Sequence, residues 1–150
     1  MLSVERSAAI LQVGVAFTWA GLVLGLSFIE TPLKFQAPGV TTVIGVGIGR
    51  LVFVALNRVE LVLALLLVAS FILGNRNTIK YVLVSLILVI VSLQTFWLLP
   101  ALDARAQLLI DGSLPIGSIH HSVFVVVESL KVLALLALGI VAARHSVPMR

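Results

Sequence analysis

Read for hydrophobic and polar positions, the chain falls into long apolar runs separated by short polar joints. Between Ala8 and Ile29 no residue is charged, and the polar side chains are confined to Gln12, Thr18 and Ser27. A second run, Leu61 to Gly74, continues a largely apolar stretch from Val43 to Val59 that carries Arg50, Asn57 and Arg58, and together they predict one long helix. Tyr81 to Leu99 is a third uncharged run, opened by Lys80 and closed by Trp97 and Pro100. The fourth, about Ser122 to Ala143, contains Glu128 and Lys131. A bilayer core about 30 Å thick asks for roughly 20 apolar residues per helix. The expected fold is therefore all-α: one domain over residues 1–150, an integral membrane four-helix bundle with helices at about 7–30, 40–74, 79–100 and 118–144.

The joints carry the usual breakers. Glu30-Thr31-Pro32 is expected to end helix one, and Thr41 or Thr42 to cap helix two after Ala37-Pro38-Gly39. Gly74-Asn75-Arg76-Asn77 reads as a tight turn, and Leu108-Leu109-Ile110 among Asp103, Arg105 and Asp111 as a short interfacial helix over about 103–111, broken by Gly112 and Pro115. Gly21-x-x-x-Gly25 and Gly45-x-x-x-Gly49 have the small-residue spacing that lets membrane helices approach.

Composition agrees with the pattern: 61% of residues are hydrophobic and 11% charged, outside the ordinary soluble range. The first apolar run is too long for a signal sequence and lacks a small-x-small cleavage pattern, so it is expected to be retained. Arg6, Arg76, Lys80, Arg144 and Arg150 fall on one side of a four-span topology, against Lys34, Arg105 and Arg50 on the other, which predicts both termini in the cytoplasm. The expected location is a bacterial plasma membrane. The net charge of +4 is scattered, with no basic cluster or stacking platform, so nucleic acid is not an expected partner. The chain has no cysteine, which removes disulfides, thiolate metal sites and c-type haem attachment. Gly45-Val46-Gly47-Ile48-Gly49 lacks the spacing and the lysine of a nucleotide loop, and no Gly-x-Ser-x-Gly elbow is present.

Ionisable groups inside a membrane are expensive and usually face the bundle interior. Counted inward from the basic ends at about 1.5 Å per residue, Glu60 and Lys131 both lie near 20 Å, and Arg58 and Glu128 near 24 Å. Arg58 and Glu60 project about 200° apart, so both cannot face helix four. Glu60 with Lys131 is the favoured pair, leaving Arg58 to reach for Glu128 or outward. Asn57 shares a face with Arg50 and Phe53. A second polar layer, roughly 33–36 Å from the inner end, holds Glu30, Arg50, His120 and His121, bordered by Lys34 and Asp103, with Gln94 below it. His120 and His121 have metal-ligand chemistry but diverge by about 100° and would need a further ligand such as Glu30 or Asp103. No cofactor is expected.

Trp19-Ala20-Gly21, Pro32-Leu33-Lys34-Phe35, Trp97 with Pro100, and His121-Ser122 give the chain a pattern that resembles the small four-helix membrane family related to transmembrane protein 205. The resemblance covers most of the chain. It departs in the brief loop before helix four and in the charges Glu128 and Lys131 within it. It implies a four-helix bundle handling a solute or metal and supplies no catalytic residue. The expected function is a non-enzymatic accessory subunit or binding module with an outward-facing polar site, in contact with the bilayer and with a larger complex or a second copy. The alternatives are a transporter or channel for a small solute, proton or metal ion along Glu30, Arg50, Glu60, His121 and Glu128, and a membrane oxidoreductase or metalloenzyme. The charged pairs also admit a purely structural role, fixing helix register.

Overall fold

The structure is a computed structural model and describes residues 2–74, 77–113 and 119–146. Asn75 and Arg76 of the expected turn, Pro115, Gly117, the expected start of helix four at 118, and Met1, Met149 and Arg150 lie outside the described residues. Every element among the described residues is helical: α1 (Leu2–Val23), α2 (Thr31–Leu33), α3 (Thr42–Leu73), α4 (Thr78–Leu93), α5 (Leu99–Ile110) and α6 (His120–Ser146). Two π-helical segments, Leu24–Glu30 and Gln94–Leu98, join α1 to α2 and α4 to α5. Four helical stretches are long and apolar enough to cross a membrane: Val4–Gln36, Thr42–Leu73, Thr78–Ile110 and His120–Arg144.

Two expected helix ends are not there. Glu30-Thr31-Pro32 does not stop the first span, which continues to Gln36, and Pro100 does not stop the third, which continues to Ile110. The segment expected as a separate interfacial helix is the continuation of that third span. In both places proline occupies the first or second position of a helical segment that follows a π segment. The wider π turn re-registers the backbone ahead of the ring, so the missing N–H and the ring's demand for space are met without breaking the helix. The other boundaries follow local chemistry: Thr41 Oγ1 accepts from Ile44 N at 3.3 Å, and Asn77 Oδ1 from Ile79 N at 2.9 Å.

In the bundle α1 packs between α3 and α6, and α4 packs against α6, so α3 and α6 face one another across the centre. The end that carries Arg6, Lys80 and Arg144 is called here the basic end, and the opposite one the histidine end. Ala16, Trp19, Val23, Leu67, Ile87, Leu135 and Leu138 form the fully buried middle. Exposed Leu51, Val62, Leu65, Ile72, Val82, Val89, Val126 and Leu133 cover the outside, the inverse of a soluble protein's surface.

The basic half carries a polar layer of its own. Lys80, Gln12 and Ser70 are buried there together: Lys80 Nζ donates to Gln12 Oε1 at 3.2 Å, and Gln12 Nε2 to the Ser70 carbonyl at 3.4 Å. Lys80, counted above as a loop charge, points into the bundle. Of the glycine pairs, Gly45 and Gly49 are buried against the extension of the first span, where an added Cβ would meet the Phe35 ring and, at 2.8 Å, Lys34 Nζ. Gly21 and Gly25 have open space around them within the chain. Gly45→Ala is therefore expected to cost about 1–3 kcal/mol through overpacking. Gly21→Ala should leave stability nearly unchanged, and thermal unfolding of both variants in detergent checks the contrast.

Candidate functional site

All four spans contribute to one buried polar cluster. Lys131 Nζ of α6 donates to Glu60 Oε1 of α3, the pairing expected from depth, and to Gln94 Oε1 of the third span at 2.7 Å. Trp19 Nε1 of α1 donates to the same Glu60 oxygen at 2.8 Å. Glu128, one turn before Lys131 on α6, places Oε2 3.0 Å from Lys131 Nζ, and Ser27 Oγ approaches its Oε1 at 3.5 Å. Lys131, Glu128 and Glu60 are 0%, 1% and 3% exposed.

This is a charge inventory with a remainder. Two carboxylates surround one ammonium, and Trp19, Gln94 and Ser27 bring no charge. Glu60 is the better satisfied carboxylate, since Oε1 receives two donors. Glu128 is held less well: Oε2 meets Lys131 by distance but makes no hydrogen bond. Gln94 Nε2 is a buried donor without an acceptor. Low dielectric makes an unbalanced carboxylate costly. Both π segments lie next to the cluster and carry Ser27 and Gln94 into it, a frequent use of such segments at functional positions.

A cavity of about 490 Å³ runs from His121 down two turns of α6 to Glu128, walled by Ser27, Phe28, Thr31, Phe35, Phe53, Phe124 and Val125. Glu128 is the charged group on that wall, and Glu60 and Lys131 stand behind it. At the histidine end it adjoins a smaller space of about 270 Å³ that shares Thr31, Phe35, Phe53 and His121 and extends past Lys34, Arg50, Asp103 and Arg105. Phe53 and Phe124 meet edge to face at 5.2 Å between the two spaces.

The vestibule charges mostly pair. Lys34 bridges Glu30 at 3.3 Å and lies 5.6 and 5.8 Å from the Phe35 and Phe53 ring centres. The Arg50 guanidinium forks onto Asp103 through Nε and Nη2, the latter at 3.1 Å, while Nη1 donates to Gln107 at 2.6 Å. Among the described residues Arg105 has no carboxylate within ion-pair distance. Partly exposed, it is screened by solvent ions, whereas the deficit at Glu128 is not.

The remaining candidates separate. Asn57 Nδ2 donates to Thr95 Oγ1 at 2.9 Å, beside a separate groove between α3 and the third span. Arg58 turns outward and does not reach Glu128. His120 stands edge-on to Trp97 at 6.0 Å while His121 lines the cavity. Their side chains part as the helical wheel requires, and among the described residues no group of three or more His, Asp or Glu side chains is placed to hold a metal ion. Trp19, Ser27, Thr95 and Gln107 are partners that sequence reasoning passed over. For Trp19 a signal existed, since its depth from Arg6, about 20 Å, equals that of Glu60 and Lys131. Comparison with family models, curated proteins and solved structures finds no match.

Proposed function

We propose that this chain is a membrane-embedded, non-enzymatic binding module that takes a small cation at Glu128. The observation that carries the reading is the buried set of two carboxylates and one ammonium, with Glu128 at the foot of a cavity lined mainly by aromatic and aliphatic side chains. A monovalent cation there, a proton being the smallest, brings the Glu60, Lys131 and Glu128 cluster to neutrality, the state that a membrane interior favours. With Lys80 inside the bundle, Arg6, Arg76, Arg144 and Arg150 still exceed Lys34, Arg50 and Arg105, which supports an orientation with both termini in the cytoplasm of a bacterial plasma membrane, so that the cavity opens outward. Membership of the family related to transmembrane protein 205 belongs to the same proposal and fits a solute-handling role.

Trp19 supplies a reporter, because its indole N–H shares the Glu60 oxygen with Lys131. The chain has two tryptophans, so Trp97→Phe leaves Trp19 emission alone. Titration of that variant with protons, sodium or methylammonium at constant ionic strength is expected to give a saturable change for at least one of them. Glu128→Gln should abolish it while leaving the helical circular dichroism intact. No saturable change with any of the three, or an unchanged response in Glu128→Gln, would overturn the reading.

A transport reading draws on one further observation, the Gln12, Ser70 and Lys80 layer toward the basic end. It lies about 10 Å from Trp19 along α1, with buried Val15 and Ala16 between. Transport requires that this apolar layer open. Cation flux into proteoliposomes distinguishes the two, since the binding module is expected to give none above protein-free vesicles.

A further inference from the structure

Arg58 is the ionisable side chain of α3 that the buried cluster and the vestibule do not use. It is exposed and makes no hydrogen bond or ion pair among the described residues. Around it on the same face of α3 stand exposed Leu51, Val54, Leu61, Val62 and Leu65, the surface expected to meet acyl chains. A lone arginine on such a face calls for an anion, and its position says which.

Counting from Leu73, Arg58 lies about 22 Å from the basic end, which leaves about 8 Å to the far boundary of a 30 Å hydrocarbon core. Helical Cα–Cβ bonds tilt toward the N-terminus, and α3 starts at the histidine end. The guanidinium therefore climbs toward the nearer boundary, as long cationic side chains do. In that direction it borders an open groove of about 920 Å³ between α3 and the third span, lined with Arg58 by Val54, Asn57, Thr95, Leu99 and Pro100, and bounded above by the paired Arg50 and Asp103. The groove sets the mutually bonded Asn57 and Thr95 among apolar Val54, Leu99 and Pro100, and carries one unmatched positive charge.

A carboxylate from a second copy of the chain does not answer that charge. Of the six acidic residues, Glu30 pairs with Lys34 and Asp103 with Arg50, while Glu60 and Glu128 are buried inside the bundle. Asp111, just past the end of α5, and Glu5, in the first turn of α1, each stand roughly 20 Å or more in depth from Arg58, out of its reach in a parallel copy. A phosphodiester drawn into the groove by the single cation, with an acyl chain descending over exposed Val62 and Leu65 toward mid-bilayer, answers both the charge and the apolar face below it. We propose that this groove binds one anionic phospholipid, with its phosphate on Arg58 and one acyl chain descending along Val62 and Leu65.

The test uses the full-length chain, delipidated in a neutral detergent and re-supplied with phosphatidylglycerol or phosphatidylcholine, with retained lipid counted by native mass spectrometry. One phosphatidylglycerol is expected to be retained per chain in preference to phosphatidylcholine. Arg58→Gln should weaken that retention about five-fold, the ratio that roughly 1 kcal/mol per surface cation corresponds to. Arg58→Lys should keep part of it, and Arg6→Gln, at the other end, all of it. Equal retention of both lipids, or undiminished phosphatidylglycerol binding in Arg58→Gln, would overturn the proposal. So would a drop in oligomeric mass of Arg58→Gln with lipid binding unchanged, which would assign Arg58 to a protein contact.

Discussion

Lys131→Met is expected to destabilise the bundle by about 3–5 kcal/mol, the cost of removing one partner from a buried ionic cluster. Methionine fills nearly the same volume, so the loss is electrostatic. Glu60 and Glu128 would be left facing each other's charge with Trp19 and Ser27 as their donors. The triple variant Lys131→Met with Glu60→Gln and Glu128→Gln should recover most of that loss, because neutral amides of the same shape carry no desolvated charge. Reversible unfolding in mixed micelles measures both. A single Lys131→Met variant as stable as the parent would mean that the cluster is solvated, contrary to its near-zero exposure.

Lys80→Met is expected to act in the opposite direction. Lys80 is 2% exposed and, among the described residues, has no carboxylate within ion-pair distance, only Gln12 Oε1 as a hydrogen-bond acceptor. Burying a charge without a counter-ion costs several kcal/mol, against the loss of one hydrogen bond to Gln12 worth about 1.5–3 kcal/mol. A net gain of about 1 kcal/mol or more should raise the unfolding midpoint in the same assay. A gain in stability accompanied by loss of cation flux in reconstituted protein would shift the account toward transport, since a charge kept at a cost to stability serves something other than folding. A clear destabilisation would show that Lys80 has a stabilising counter-charge.

The two lysines also mark where the sequence could and could not be read. Apolar runs and the 1.5 Å rise were sufficient for four spans and for the depth match of Glu60 with Lys131, because burial in a bundle depends first on distance along the helix. The helical wheel separated Arg58 from Glu60, and the i, i+3 spacing already made Glu128 and Lys131 neighbours on one helix, but the wheel could not say that Arg58 turns outward, since rotation about each axis is set by packing. Lys80 was misjudged for the same reason. A lysine at the start of a span reads as a boundary signal, and only the helix's rotation toward Gln12 buries it. Pro32 and Pro100 were read as stops because the compensating π segments have no recognised sequence signature. The aromatic walls of the cavity, Phe35, Phe53 and Phe124, come from three different spans and share no local pattern.

The central claim is that Glu128 presents uncompensated negative charge to a cavity entered from the histidine end. The absence of native cysteine makes Ser27→Cys a clean probe, 3.5 Å from the carboxylate. Its rates of modification by cationic and anionic methanethiosulfonate reagents, applied separately to each face of reconstituted protein, test the claim directly. Reaction is expected from one face only, with the cationic reagent faster by about tenfold or more, as focusing of a charge in a low-dielectric cleft gives. Glu128→Gln should erase that preference. Equal rates for the two reagents, or no reaction from either face, would contradict the account.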